Sequence, residues 1–387
     1  MKKFKPGIEV FFDETHSGLT RVAAVTNFTG RTRNGTHLVE LLAQHSAFNL
    51  VKIFSPEHGF TSDAPDGEPV ADSHHQDFAV PVISLYGKNK KPSAEMLKGT
   101  YALIYDIQDV GVRFYTYIST LRNILEAADE NGIPVWILDR PDVLGGIEVE
   151  GPMLQEGFSS FVGHLPIPVR YGLTPAELAL WYKAKAGLEV EIKVWKCQNY
   201  RCSNQNPFPD FPWFKPSPSM PDTDTAQFYP GTCIFEGTQL SEGRGTDAPF
   251  RKIGAPWVNA EKWQKHLQQI LPPQIKVNTC RFVPTFSKYE GESCNGISLT
   301  TEAPIVKSAV ETGVAVLFSL MQTHPGKVEF EGRPGLKHPF IDYLCGTDEV
   351  RKKLLLGQEP SRIMNEVKSE TEKFARERKD FFLYPRN

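Results

Sequence analysis

The sequence has no run of about eighteen apolar residues, so no membrane span is expected. Its N-terminus, MKKFKPGIEVFFDETHSG, is basic but lacks the apolar segment of a secretory leader. A cytoplasmic location is therefore expected, with export as the alternative where a leader has been removed. Cysteine is sparse: Cys197, Cys202, Cys233, Cys280, Cys294 and Cys345 are scattered, and none forms a C-x-x-C pair. That argues against zinc ribbons and thioredoxin-type sites and favours reduced, buried thiols over a disulfide framework. Charge of one sign is missing too. A formal net charge of -3, with both signs mixed along the chain, argues against a nucleic-acid partner. There is no G-x-x-x-x-G-K-[ST], no G-x-G-x-x-G and no G-x-S-x-G, so P-loop, dinucleotide and α/β-hydrolase sites lose their usual warrants. No H-E-x-x-H occurs either.

What is present is length and aromatic side chains. A chain of 387 residues suits two domains and a sizeable core. Its 25 Phe, 12 Tyr and 6 Trp exceed what a core needs and suit a site that stacks on sugar or base rings. The first half alternates strand-like and helix-like segments. Strands are expected at 21–26, 50–54, 80–85, 102–105, 134–138 and 168–171, and helices at 36–44, 93–98, 116–130 and 174–186. Asn131-Gly132 stops the third helix, and Thr174-Pro175 caps and starts the fourth. This alternation implies an α/β domain over 1–200, with a parallel sheet and helices on both faces. The pattern breaks near residue 196. The Pro- and Phe-rich stretch 204–221 reads as an ordered loop, because Phe208, Phe211, Trp213 and Phe214 need something to pack on. Strands at 277–283 and 296–301, a helix at 305–322 and two helices within 348–378 make 201–387 a smaller α+β domain.

Ligands bind at the carboxyl edge of a parallel sheet. FSPEHGFTSDAPDGE places Glu57 and His58 just past the second strand, where a carboxylate and an imidazole are positioned for chemistry. The fourth strand runs into ALIYDIQDVGVRFYTY, bringing Asp106, Asp109, Arg113, Tyr115 and Tyr117. LDRPD at the end of the fifth strand brings Asp139, Arg140 and Asp142. Glu57, Asp106 and Asp139 are thus expected on one edge. The competing reading pairs Asp106 and Asp139 with Arg113 and Arg140 to hold loops. YPGTCIFEGTQLSEGRGTDAPF, with Glu236, Glu242, Arg244 and Asp247, reads as a pocket wall whose glycines let backbone approach a ligand. A metal site would have to draw on His58, Asp63, Asp66, His74, His75 and Asp77. Their irregular spacing in one loop fixes no coordination geometry, and no metal is expected.

SPEHGF (55–60), SLYG (84–87), DIQDVGVRFYTYISTL (106–121), LDRP (138–141), VEGP (149–152), PSPSMP (216–221), YPGTCIFEGTQLSEGRGTD (229–247) and TFSKYEGE (285–292) together carry a resemblance. Over nearly its whole length the sequence resembles the bacterial family that includes exo-β-N-acetylmuramidases of the NamZ type. The resemblance implies a Rossmann-like N-terminal domain, a smaller C-terminal one, a cleft between them and no cofactor. It also implies removal of terminal N-acetylmuramic acid from the non-reducing end of peptidoglycan fragments, in cell-wall turnover or recycling. The partner would be a muropeptide or glycan strand. Glu57 matches the PEHG glutamate and is expected to be the catalytic acid, with His58 tuning it. The substrate's own amide oxygen can act as nucleophile in such reactions. Asp106, Asp109 and Glu242 are candidates for orienting that amide or a water. Arg113 and Arg244 are candidates for the lactyl carboxylate, and Tyr115 and Tyr117 for stacking on the sugar. Asp139, Arg140 and Glu236 complete the expected binding set. Two other functions stay open at this stage: a catalytically silent muropeptide-binding protein and a metal-dependent hydrolase.

Overall fold

A computed structural model describes residues 3–64, 71–75, 77–205, 208, 210–304 and 306–386. The strands, in chain order, are β1 (Thr20–Thr26), β2 (Phe48–Ser55), β3 (Ser73–His74), β4 (Pro81–Ser84), β5 (Ala102–Asp106), β6 (Val135–Leu138), β7 (Glu150–Met153), β8 (Pro168–Arg170), β9 (Ile192–Trp195), β10 (Lys252–Ala255), β11 (Ile275–Phe282) and β12 (Cys294–Thr301). The helices are α1 (Gly7–Asp13), α2 (Leu38–Gln44), α3 (Ala94–Leu97), α4 (Tyr117–Asn131), α5 (Pro175–Ala186), α6 (Thr223–Thr232), α7 (Ala260–Ile270), α8 (Ala309–Thr323), α9 (Phe340–Cys345), α10 (Glu349–Leu355) and α11 (Pro360–Glu377). Among the described residues no helix is long and apolar enough to cross a membrane.

A seven-stranded sheet in the order β3-β4-β2-β1-β5-β6-β9 forms the N-terminal unit, parallel except for the edge strand β3. Both faces are buried, so its strands read as apolar runs rather than alternating ones. Val22 and Ala24 of β1 pack under α1 and α2 on one face, while Ala23 and Val25 pack under α4 and α5 on the other. The local signals hold at the helix ends. Gly132 takes a left-handed conformation (φ 63°) after α4, and Thr174 and Glu177 close a capping box at α5.

Three expectations change. The strand foreseen at 168–171 is β8, which pairs with β7 in a separate two-stranded ribbon; the sixth parallel strand is β9. The run from Tyr229 to Phe250 is helical only at its start, where α6 continues to Thr232 and a 3-10 turn covers Cys233–Gly237; residues 238–250 are irregular. Its Gly231 serves a helix crossing, since a Cβ there would lie 1.9 Å from the carbonyl oxygen of Ala309, at the start of α8. Helices α1, α7 and α9 and strand β10 were not foreseen: α1, α9 and β10 are too short to show a period, whereas α7 does carry one, with Trp263 and Leu267 buried four residues apart behind an Asn259 cap.

The described part of 204–221 is an ordered loop, with Phe211 edge-on to Phe4 and Phe214 edge-on to Phe28. The C-terminal unit is an antiparallel sheet, β10-β12-β11, packed with α7 and α8 around its own core. The chain end then returns to the first unit, where the Tyr384 hydroxyl donates to Asp139 (2.5 Å) and Arg386 pairs with Glu177 (2.6 Å). All six cysteines are free thiols.

Candidate active site

Chain order reverses between β1 and β5, the place where open parallel sheets usually take a ligand. Here the protein fills it. The Thr26 hydroxyl donates to the Asp106 carbonyl (2.8 Å), and the Gln108 amide donates to the Thr29 hydroxyl (2.9 Å). Arg140 grips the Asp106 carboxylate through Nε and Nη2 at 2.6 and 2.7 Å, with both side chains buried. Burial pushes the Asp106 carboxyl up, and Arg140 opposes that rise.

The edge carboxylates therefore separate. Asp139 is sealed, accepting from the Thr174 hydroxyl (2.8 Å), the Ala176 amide (2.9 Å) and Tyr384; burial still pushes it to about 7. Asp109 accepts from the Tyr171 hydroxyl and the Gly111 amide and is likewise pushed by burial to about 7. Arg113 is fully buried and spends its guanidinium on the carbonyls of Pro152 and Ile167 (both 2.8 Å) and Leu344 (2.9 Å). It ties the loop after β5 to the ribbon and to α9. Asp106, Asp109, Asp139, Arg113 and Arg140 thus hold the scaffold.

Glu57, His58 and Tyr115 of the N-terminal unit meet Glu236 and Arg244 of the C-terminal unit in one cleft. The turn after β2 places the first pair. His58 is left-handed (φ 68°), as is Gly59 (φ 74°), an unusual conformation for a bulky residue and one that clusters at working sites. Nδ1 of His58 lies 2.8 Å from the Ala64 carbonyl, which assigns the ring proton to Nδ1. Glu57 and His58 are 7% and 4% exposed, so both sit on the cleft floor rather than on an open loop. Tyr117 lies behind them, its hydroxyl donating to the Pro216 carbonyl. Burial holds that phenol well above its ordinary pKa, and the charge of Glu57 adds to the rise.

An aromatic belt crosses from one unit to the other. Tyr117 is edge-on to Tyr115 (4.8 Å), Tyr115 to Tyr229 (5.9 Å) and Tyr229 to Phe250 (4.5 Å), and Arg244 lies over Phe250. Beyond the belt is a charge cluster. Arg244 is held between Glu236 (2.9 Å) and Glu242 (3.1 Å). Glu242 also faces the Lys288 ammonium (3.3 Å), which caps the carbonyls of Phe235, Glu236 and Leu240. Burial alone would raise Glu236, but Arg244 and Arg333 outweigh it and hold the carboxyl below its ordinary value.

Several cleft residues escaped the sequence reading. Tyr86 and Tyr229 sit inside quoted motifs, SLYG and YPGTC, and motif membership was their signal. Lys288, the partner of Glu242, lies in TFSKYEGE in the same way. Phe161 and Arg333 carried no signal at all. Among the described residues no group of three or more His, Cys, Asp or Glu stands together as a metal site. Asp66, from the metal reading, lies outside the described residues.

The comparisons also divide the chain into two parts. Residues 22–224 match the family model for the N-terminal part of exo-β-N-acetylmuramidase NamZ, and residues 227–384 the model for its C-terminal part. The chain is 36% identical over 384 residues to the peptidoglycan β-N-acetylmuramidase NamZ of Bacillus subtilis, covering 99% of this chain and 92% of that protein. Two solved DUF1343-family proteins of Bacteroides fragilis, each 30% identical, superpose with TM-scores of 0.87 and 0.79. The first match covers 99% of both chains and the second 100% of both. With both units matched and the fold shared end to end, the chain belongs to the NamZ exo-β-N-acetylmuramidase family.

Proposed function

We propose that this protein is an exo-β-N-acetylmuramidase that removes the terminal N-acetylmuramic acid from the non-reducing end of peptidoglycan fragments. The carrying observation is the cleft that Glu57 of one unit lines together with Arg244 and Arg333 of the other and with Tyr86, Tyr115 and Tyr229. Glycosidic cleavage needs an acid near the leaving oxygen and a group that attacks the anomeric carbon. Glu57 supplies the acid. Its proton passes to the glycosidic oxygen as the C1–O bond breaks, and water finally adds to C1.

The other carboxylates favour attack by the substrate's own acetamido oxygen. Asp106 and Asp109 are sealed, and Glu236 and Glu242 are both committed to cations. Glu242 therefore acts through Arg244 rather than on the sugar.

Glu57→Gln tests the assignment, with a chromogenic β-N-acetylmuraminide as substrate. The fold should survive this near-isosteric change, and turnover should fall by roughly two to four orders of magnitude. Activity within about threefold of the unaltered enzyme would reject Glu57 as the acid. An unaltered protein that binds the muraminide without cleaving it would favour a silent binding protein instead.

A further inference from the structure

We propose that Arg333 determines specificity by reading the lactyl carboxylate that distinguishes muramic acid from glucosamine; this rests on the muramidase reading above. The argument starts from what the other arginines are doing. Arg113 is buried against three carbonyls, and Arg140 is locked to Asp106. Arg244 lines the cleft, but its side chain is only 9% exposed and lies between two carboxylates. A guanidinium so enclosed has little room for a third anion. Arg333 lines the same cleft with its side chain 48% exposed.

Arg333 is also held in a form suited to a fork. Its Nη2 donates to Glu236 Oε2 at 3.0 Å, and its guanidinium carbon lies 3.4 Å from the Phe340 ring centroid. Stacking fixes the plane, and the contact with Glu236 fixes one edge. A planar guanidinium has five donors, so one anchored edge leaves donors to pair with a carboxylate side by side. The loop that carries it is cinched at its base, where the Phe340 amide donates to the Glu331 carbonyl (2.7 Å) and the Glu331 amide to the Gly237 carbonyl (2.9 Å). Residues 331–335 are exposed, which puts Arg333 on the rim. Glu57 and Arg333 line the same cleft, so a sugar with its acetal oxygen at Glu57 lies in the pocket that Arg333 borders.

Binding to the full chain separates this inference from the activity. The probes are N-acetylmuramic acid and its lactyl methyl ester, measured by calorimetry beside hydrolysis of the chromogenic muraminide. The unaltered protein should bind the acid about 10- to 100-fold more tightly than the ester, as a charge-assisted pair implies. Arg333→Gln should bring the acid to within about threefold of the ester. Arg333→Lys should keep part of the preference, because the charge survives and the fork does not.

If Arg333→Gln keeps the full preference while the unaltered protein hydrolyses the muraminide, Arg333 is not the reader and the muramidase reading stands. If the preference is lost in Arg333→Gln but the unaltered protein cleaves nothing, the carboxylate reader stands and the muramidase reading falls. If the unaltered protein neither prefers the acid nor cleaves the muraminide, both fall.

Discussion

Arg140 holds Asp106 in a two-pronged pair at 2.6 and 2.7 Å, at the place where a doubly wound sheet usually admits a ligand. The pair plugs that crevice, while the cleft at the end of β2, lined by Glu57 and His58, stays open. Burying two charges is costly, and breaking such a pair leaves one of them uncompensated. Arg140→Met should therefore destabilise the protein by about 3–5 kcal/mol in urea unfolding. Adding Asp106→Leu to it should recover much of that loss. A double variant no more stable than Arg140→Met would show that the pair is not the stabilising unit.

Arg113 should behave as a staple. Replacing it with alanine takes a donor from three buried carbonyls, of which Ile167 keeps the Leu154 amide (3.2 Å), at about 1–3 kcal/mol for each one left unsatisfied. Arg113→Ala should lower the melting temperature markedly. The acid-over-ester preference of whatever protein folds should stay as it was. Loss of the preference with unchanged stability would return Arg113 to the binding site.

The pH dependence carries an unusual sign. Burial raises Asp109 to about 7, above its ordinary value near 4, so the folded chain holds a proton there that the unfolded chain has released. Stability from this group is full below about pH 4 and is lost as pH rises to about 7, at up to about 1.4 kcal/mol per unit. Asp109→Asn keeps an acceptor for Tyr171 and Gly111 and removes the titration. Its stability relative to the parent should rise between pH 4 and 7 and level off above that. Parallel stability-versus-pH curves would overturn this.

No metal should be needed. Acid catalysis by a carboxyl group on a glycosidic bond requires no Lewis acid. Turnover of the muraminide should be unchanged after dialysis against a strong chelator. Activity that disappeared and then returned with one added metal would reassign His58 as a ligand.

The parallel sheet, the break near residue 196 and the caps at Thr174 and Gly132 were legible because each depends on neighbours in sequence: apolar runs, capping hydroxyls and a residue free to take positive φ. The position of Glu57 and His58 just past β2 was legible for the same reason, as polar residues soon after a strand. The fate of the other charges was legible only in part: the alternative that pairs Asp106 and Asp139 with Arg113 and Arg140 holds for Asp106 and Arg140 but not for Asp139 or Arg113. Asp106, Asp139 and Asp109 also follow strands, yet each is sealed by partners from distant segments, including Arg140, Tyr384 and Tyr171. Whether a carboxylate faces solvent or a partner depends on what folds over it, and local pattern carries no record of that. Arg333 is the plainest case: an arginine in a Gly- and Pro-containing loop looks like surface until α6, the 3-10 turn after it and α9 bring that loop to the rim opposite Glu57.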